Sequence, residues 1–165
     1  MDNSLLIFAS DNGAAGGSFG SNYPLRGSKY SNWEGGVRVP AFVAGGFLPS
    51  AAGGRTLKGI VSMADWYATL AGIAGAKVDN GGPAPSDSID QWGYITGKSD
   101  ESPRRELVHE YIGNASGLAE GALRLGRWKL MVGLQKGAHL YGHSLIHFDE
   151  GLTEDCSSSP CLFDI

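Results

Sequence analysis

A short apolar run near the start of the chain ends at a polar and glycine-containing sequence, and this boundary constrains the fold most. Residues 4–10 (SLLIFAS) carry apolar side chains at consecutive positions, so both faces of a strand formed there would be apolar. Such strands belong in the interior of a sheet. Asp11, Asn12 and Gly13 end the run. We therefore expect a buried strand whose carboxyl end presents a carboxylate and an amide.

The segments that follow predict one more strand and a helix. Residues 13–36 are typical of a glycine-rich loop, and residues 37–45 predict a strand with Pro40 at its start or at a sheet edge. Residues 62–65 (SMAD) have the spacing of a capping box at a helix start. Apolar side chains then recur on one face of a helix that ends at Gly75. We expect that face to be buried; its members are Met63, Trp66, Tyr67, Leu70 and Ile73.

The C-terminal part predicts small antiparallel strands. Residues 121–126 (GALRLG) and 127–132 (RWKLMV) alternate between apolar and polar side chains, a pattern that favours a hairpin. We expect Trp128 and Leu130 to face a core. Residues 133–160 are interpreted as irregular, with one more short strand beginning near the end of the chain.

This order of elements predicts an α/β fold. A buried strand, a long loop, a helix and then antiparallel strands suggest part of an α/β sheet followed by a smaller α+β appendage. We place the boundary between residues 1–103, the sheet portion, and residues 104–165, the antiparallel subdomain.

Composition excludes several classes of protein. The chain has 165 residues, and a hydrophobic content of 42% excludes a disordered chain. A formal net charge of -4 without basic runs argues against nucleic-acid binding. No apolar run approaches the roughly 20 residues that a membrane span requires. The 26 glycines follow no repeat, so we expect them in turns and at close backbone approaches.

The sequence signals for cellular location conflict. No basic residue precedes the first apolar stretch, which is shorter than the core of a signal peptide. Cys156 and Cys161 have a spacing that suits a local disulfide or, in a reducing compartment, two free thiols. Asn114 begins a glycosylation acceptor triplet. The location of the chain stays unassigned from these signals.

The histidines are weak candidates for chemistry. His139, His143 and His147 have a spacing that would bind zinc on one helix face, but Gly142 interrupts that helix. We therefore favour a loop there over a zinc site. His109 lies in an apolar, strand-like run and is expected to be a structural histidine with its hydrogen bonds satisfied.

Asp11, Asn12 and Lys29 are the stronger candidates. Adjacent hard oxygen donors at the carboxyl end of a strand suit Ca²⁺ or Mg²⁺. Lys29 lies among glycines and small residues, from which an ammonium group can reach an anion. Taken alone, the same residues also fit a tight turn and a solvated surface lysine. No phosphate-binding loop of the form G-x-x-x-x-G-K-[ST] occurs.

Three motifs in fixed order resemble the sulfatase family, and its arylsulfatase B-like branch in particular. They are SDNG at residues 10–13, PLRGSK at residues 24–29 and WEGGVRVP at residues 33–40. The resemblance continues through residues 65–70, 122–130 and 161–165, so it covers nearly the whole chain. It departs at Ala68, where relatives usually have proline, and at Ser62, where many have histidine. Neither position lies in the catalytic motifs.

The resemblance implies a fold and a site. The fold is the alkaline-phosphatase-like α/β type, represented by its C-terminal portion and therefore incomplete, followed by the small antiparallel subdomain. Asp11 and Asn12 would be ligands of a divalent cation, usually Ca²⁺ with Mg²⁺ as the other choice. Lys29 would be a catalytic residue that binds the sulfate ester.

The resemblance also implies roles for other charged and sulfur-containing residues. Arg26, Glu34 and Arg38 are expected to form ion pairs within the loop and to take no part in catalysis. Cys156 and Cys161 would form a structural disulfide in an oxidising compartment. Members of the family are usually secretory, lysosomal or extracellular.

One expected part of a sulfatase does not occur in these residues. Sulfatases use a formylglycine made from the Cys or Ser of a C-x-[PA]-x-R motif, and the sequence contains no such motif. We therefore expect a sulfuric ester hydrolase portion that binds an aryl or carbohydrate sulfate but has no turnover alone. A phosphoester or phosphonate hydrolase of the same superfamily, or a non-catalytic remnant that binds anions or a partner, are the alternatives. Without neighbours, the apolar strand at residues 5–9 would leave an exposed edge and favour self-association.

Overall fold

The computed structural model describes residues 2–15, 20–76, 87–114, 117–137 and 153–165. The helical elements are α1 (Glu34–Val37), a 3₁₀ turn (Ser50–Ala52), α2 (Asp65–Ile73) and α3 (Trp92–Ile95). The strands are β1 (Leu6–Ala9), β2 (Ala41–Ala44), β3 (Glu106–Asn114), β4 (Gly117–Leu125), β5 (Trp128–Gln135) and β6 (Glu154–Asp164). They form one sheet of order β1-β2 and another of order β3-β4-β5-β6. Among the described residues, no helix is long and apolar enough to cross a membrane.

The chain divides into two compact units, each built from two stretches of sequence. One unit comprises residues 1–6 and 44–107, and the other comprises residues 7–43 and 108–165. The domain boundary between residues 103 and 104 stays a prediction.

Strands β1 and β2 form an antiparallel pair. Ser10 N donates to Pro40 O at 3.1 Å, and Phe47 N donates to Ser4 O at 3.2 Å, so residue numbers rise along one strand as they fall along the other. Both strands lie where the sequence predicts them. Pro40 comes directly before β2, so the strand itself contains no residue that lacks a backbone N–H donor.

The expectation that β1 is buried on both faces is wrong in the part of the chain that the structure describes. Leu6 and Phe8 are 54% and 49% exposed. The physical reason is that β2 is the strand paired with β1 among the described residues, and no described element covers the apolar face.

Helix α2 keeps one contact of the predicted capping box, although its N-cap residue is Ala64 rather than Ser62 and makes no side-chain capping hydrogen bond. Ser62 N donates to the Asp65 carboxylate at 2.8 Å, and Gly75, just beyond the helix, has a φ of 69°. The predicted buried face is wrong, because the buried residues of the helix are Asp65, Ala68 and Thr69. Of the predicted face, Met63, Tyr67 and Leu70 are exposed, while Trp66 and Ile73 are half-buried.

A polar network explains this inversion. The Asp65 carboxylate accepts hydrogen bonds from Ile89 N at 3.0 Å, Gln91 Nε2 at 2.9 Å and Arg104 Nε at 2.9 Å. Burial raises the pKa of Asp65, but Arg104 and the N–H donors outweigh burial, so the pKa is lowered on balance. A fully buried carboxylate needs these partners, and they determine which face of α2 points inward.

The four-stranded sheet contains the predicted hairpin and an extra pairing. β4 and β5 are antiparallel, with Leu125 opposite Trp128 across the turn at Gly126 and Arg127. β5 and β6 are also antiparallel, with an irregularity between Met131 and Gly133. The irregular assignment of residues 133–160 is therefore wrong at both ends, because β5 continues to Gln135 and β6 begins at Glu154.

The inward face of β5 differs by one residue from the prediction. Lys129 and Met131 are 2% and 0% exposed, whereas Trp128 and Leu130 are 46% and 37% exposed. The reason is a distant partner: Lys129 Nζ donates to Glu34 Oε1 at 2.8 Å. The buried apolar cluster beside this pair consists of Trp33, Ala122, Met131 and Cys156, with Cys161 and Phe163 packed against it.

His109 in β3 is only in part the satisfied structural histidine that was expected. Its ring is half-buried, and Nε2 has no hydrogen-bond partner among the described atoms. Burial, with the nearby Lys129 ammonium, lowers the pKa of His109 to about 4. The ring is therefore neutral near pH 7.

Candidate functional site

The loop that carries the candidate residues is built on close backbone contacts. Gly13 N donates to Gly36 O at 2.9 Å. A Cβ atom on Gly13 would lie 1.7 Å from Gly35 O, and one on Gly27, whose φ is 89°, would lie 2.3 Å from Trp33 Cβ. Only glycine fits such approaches. This geometry explains why glycines are concentrated in this segment.

Asn12 and Lys29 line one open cavity of about 850 Å³. The cavity is also lined by the polar residues Ser10, Asn22 and Arg38 and by the apolar residues Phe8, Tyr23, Leu25, Val39 and Pro40. Its lining thus combines two cationic side chains and two amides with an apolar wall, an arrangement that suits an anionic group attached to an apolar body.

Asp11 lies beside this cavity rather than in its lining. The side chain is exposed, and its Oδ1 accepts a hydrogen bond from Asn12 Nδ2 at 2.6 Å. The structure therefore places the two predicted metal ligands next to each other and places one of them at the cavity with Lys29.

The donor chemistry of Asp11 and Asn12 fits a hard divalent cation. Carboxylate and amide oxygens are the ligands that Ca²⁺ accepts in proteins, but a full Ca²⁺ site takes about six to eight oxygens. Within the residues that the structure describes, no group of three or more His, Cys, Asp or Glu side chains is arranged to hold a metal ion. Asp11 and Asn12 can therefore supply only part of a coordination sphere.

Lys29 is held through its backbone, while its ammonium group has no carboxylate partner among the described residues. Its backbone N donates to Ala14 O at 3.0 Å. Its Nζ atom lies 5.1 Å from the ring centroid of Tyr30, a residue with a φ of 71°. The ammonium group is thus available to an anion in the cavity.

The expected ion pairs inside the loop are wrong for two residues. Arg26 pairs with Glu154 at 2.9 Å, and Glu34 pairs with Lys129 at 2.8 Å and with Arg124 at 3.6 Å. These partners lie on strands of the four-stranded sheet, so the ion pairs anchor the loop to that sheet. A pairing across so many residues has no local sequence signal.

Arg38 also differs from its prediction. It is exposed, forms no ion pair with the described residues and lines the cavity with Lys29. Sequence reasoning missed that Arg38 lines the cavity. Its position just before the strand at Ala41–Ala44 could have indicated a place at the end of the sheet. Sequence reasoning also gave no role to Asn22, whose side chain forms hydrogen bonds with the backbone of Ala14 and Gly27.

The remaining predicted sites lie partly beyond the described residues. Cys156 and Cys161 form a disulfide, and Cys156 is 1% exposed. Asn114 ends β3, but residues 115 and 116 of its acceptor triplet are outside the description. Residues 139, 143 and 147, the histidines for which a loop was favoured over a zinc site, lie outside the described residues as well.

Comparison with known proteins identifies the family. A family model described as Sulfatase matches residues 1–76. Arylsulfatase J of Mus musculus is 35% identical over 147 residues, covering 80% of this chain and 24% of that protein. A sulfatase of Formosa agariphila is 40% identical over 106 residues, covering 64% and 17%. Arylsulfatase A of Homo sapiens is 29% identical over 170 aligned positions, covering 98% and 30%.

The chain belongs to the sulfatase family. It spans less than a third of the length of these curated relatives. The relatives' names describe enzymes that act on sulfate esters.

Proposed function

We propose that the chain supplies the cation-binding and sulfate-binding side of a sulfuric ester hydrolase with an alkaline-phosphatase-like fold. The observation that carries the proposal is that Asn12 and Lys29, on separate arms of one loop, line the same cavity. Membership of the sulfatase family supports the choice of sulfate as the anion.

Asp11 and Asn12 are the proposed cation ligands. Their oxygens would hold a hard divalent cation, Ca²⁺ by family resemblance, whose chemistry is to neutralise charge on the ester oxygens during S–O cleavage. The hydrogen bond between the two side chains keeps both on one side of the loop.

Lys29 is the proposed sulfate-binding and catalytic residue. Its ammonium group contacts sulfate oxygens and stabilises the negative charge that grows as the ester bond breaks. The family's formylglycine motif is not among these 165 residues. We therefore propose that this chain binds a sulfate ester and that hydrolysis needs a nucleophile it does not carry.

The Cys156–Cys161 disulfide supports an oxidising compartment as the location of the chain. Disulfides persist in oxidising environments. A secretory, lysosomal or extracellular location is therefore our proposal.

The test is a titration of the purified chain with sulfate, monitored by NMR. We expect sulfate to shift the amide signals of Asn12 and Lys29, and Lys29→Gln to weaken binding by about fivefold or more, as loss of a charged hydrogen bond does. Lys58→Gln is the matched control, because Lys58 is an exposed lysine that does not line the cavity. Equal affinities in the two variants would contradict the proposal.

Three further measurements test the proposal and its alternatives. Tighter binding of methyl phosphate than of methyl sulfate would favour a phosphoester hydrolase. Calcium should bind only at millimolar levels or weaker, because two ligands form a partial site, and Asp11→Asn should weaken it further. Hydrolysis of an aryl sulfate by the chain alone would overturn the assignment of the nucleophile to other residues.

A further inference from the structure

One side chain in the cavity wall is fully occupied by backbone contacts. Asn22 Oδ1 accepts a hydrogen bond from Ala14 N at 2.7 Å, while Asn22 Nδ2 donates to Ala14 O at 2.9 Å and to Gly27 O at 3.1 Å. An amide group has two N–H donors. Both donors of Asn22 are therefore engaged.

These contacts exclude a direct binding role for the Asn22 amide donors. The residue lines the cavity with Asn12 and Lys29. An anion there needs donors, and the Asn22 side chain has none left to offer. Its contribution to the site must come through the backbone that it holds.

That backbone belongs to both arms of the site. Ala14 follows Asn12 by two residues, and Ala14 O accepts hydrogen bonds from both Asn22 Nδ2 and Lys29 N. Gly27 precedes Lys29 by two residues and is the other residue bonded to Asn22. The amide therefore bridges the strand end that carries Asn12 and the turn that carries Lys29.

We propose that Asn22 is a positioning residue for anion binding, which fixes the Lys29 backbone relative to Asn12. The inference rests on the proposed function, because it takes Lys29 as the sulfate-binding group. A lysine side chain is long and flexible, so the position of its Cα atom determines whether the ammonium group meets the anion without an added ordering cost. The surrounding glycines give the loop little stiffness of its own.

The test uses Asn22→Leu, which keeps the approximate size of the side chain, adds no charge to the cavity and removes both donors. Ala14 N, Ala14 O and Gly27 O then lose their hydrogen bonds to this side chain. We expect sulfate affinity to fall by about tenfold, as for the loss of one or two hydrogen bonds. We also expect faster hydrogen exchange at the Lys29 amide.

Asn32→Leu is the matched control. Asn32 lies in the same loop, and its Nδ2 donates to Glu110 and to Gln135, but it does not line the cavity. This substitution should lower the melting temperature, because Glu110 and Gln135 then lose a hydrogen-bond donor, and should leave sulfate affinity within about twofold.

A double-mutant cycle separates positioning from a general structural role. In a Lys29→Gln background, Asn22→Leu should not weaken residual sulfate binding further, because its effect passes through Lys29. A further loss as large as in the wild-type background would overturn the inference.

Failure of this inference is distinguishable from failure of the proposed function. If Lys29→Gln weakens sulfate binding and Asn22→Leu does not, the inference is wrong and the function stands. If Lys29→Gln has no effect, the function is wrong, and the hydrogen-exchange rate of the Lys29 amide still decides whether Asn22 fixes the Lys29 backbone. An unchanged exchange rate in Asn22→Leu would overturn that role of Asn22.

Discussion

Lys129 Nζ lies 2.8 Å from Glu34 Oε1, and the lysine side chain is 2% exposed. Burial lowers the pKa of Lys129, and the Glu34 carboxylate opposes that shift. The pair joins helix α1 to strand β5, and so links the loop that carries the candidate site to the four-stranded sheet.

Removing one partner of this pair should be costly. Lys129→Met keeps most of the side-chain volume but leaves Glu34 with only the longer contact to Arg124, so we expect a loss of about 3 kcal/mol. Urea unfolding measures it. The double variant Glu34→Gln/Lys129→Met should lose less than the sum of the single variants. A change below about 0.5 kcal/mol for Lys129→Met would contradict a stabilising pair.

His109 should make stability depend on pH. Its pKa in the folded chain is about 4, below the ordinary value of 6.5, so the unfolded chain binds more protons between these values. Stability should therefore fall as the pH drops from 6.5 towards 4, by up to about 1.4 kcal/mol per pH unit. His109→Gln lacks this contribution. The measurement is the difference in unfolding free energy between the wild-type chain and His109→Gln, which should shrink as the pH falls. A difference that stays constant with pH would contradict the prediction.

Gly13→Ala should destabilise the chain by about 3 kcal/mol. The added Cβ atom would lie 1.7 Å from Gly35 O, and a backbone atom cannot move aside as a side chain can. Gly93→Ala is the control, because a Cβ atom there meets nothing within 4 Å. Thermal unfolding of both variants measures the contrast, and similar melting temperatures would show that the close approach of Gly13 and Gly35 is absent.

Arg38→Gln should weaken sulfate binding less than Lys29→Gln does. Arg38 lines the cavity but is exposed, so its attraction to an anion is reduced by solvent; we expect a loss of about threefold. The effect should shrink at high salt. Arg105→Gln is the control, because Arg105 is an exposed arginine paired with Glu101. Titration at two salt concentrations tests this, and an equal effect in both variants would exclude a role for Arg38.

Self-association through β1 and β2 stays a prediction with a direct test. The Phe8 and Phe42 rings stack 5.2 Å apart, and these side chains are 49% and 52% exposed. Phe42→Lys should raise the fraction of monomer in light scattering over a concentration series, because a charge on an exposed strand disfavours pairing. Val61→Lys, at a loop position, should not. A wild-type chain that stays monomeric at high concentration would contradict the prediction.

Local sequence signals identified the elements that depend on contacts between residues close together in the sequence. The turn at Gly126 and the contact of Asp65 with Ser62 involve neighbouring residues, and both were predictable. The inward face of β5 was not. Apolar side chains stand at residues 128, 130, 132 and 134, a pattern that favours the face of Trp128, but the structure buries the other face, where Lys129 meets Glu34 95 residues away.

The candidate site shows the same division. Asp11, Asn12 and Lys29 could be named from the motifs, because the family resemblance identifies them. Asn22 could not, because an asparagine in a loop is common, and its contacts with Ala14 and Gly27 depend on how the loop folds back.

The contacts of Asp65 have a consequence for the order in which the chain folds during synthesis. Its carboxylate is completely buried and is paired with Arg104, which follows 39 residues later. At about 5–20 residues per second, Arg104 leaves the ribosome roughly two to eight seconds after Asp65. During that interval a buried Asp65 would lack its counter-charge, so the start of α2 should remain open to water. The helix therefore becomes a stable part of its unit only after the segment that contains Arg104 has emerged.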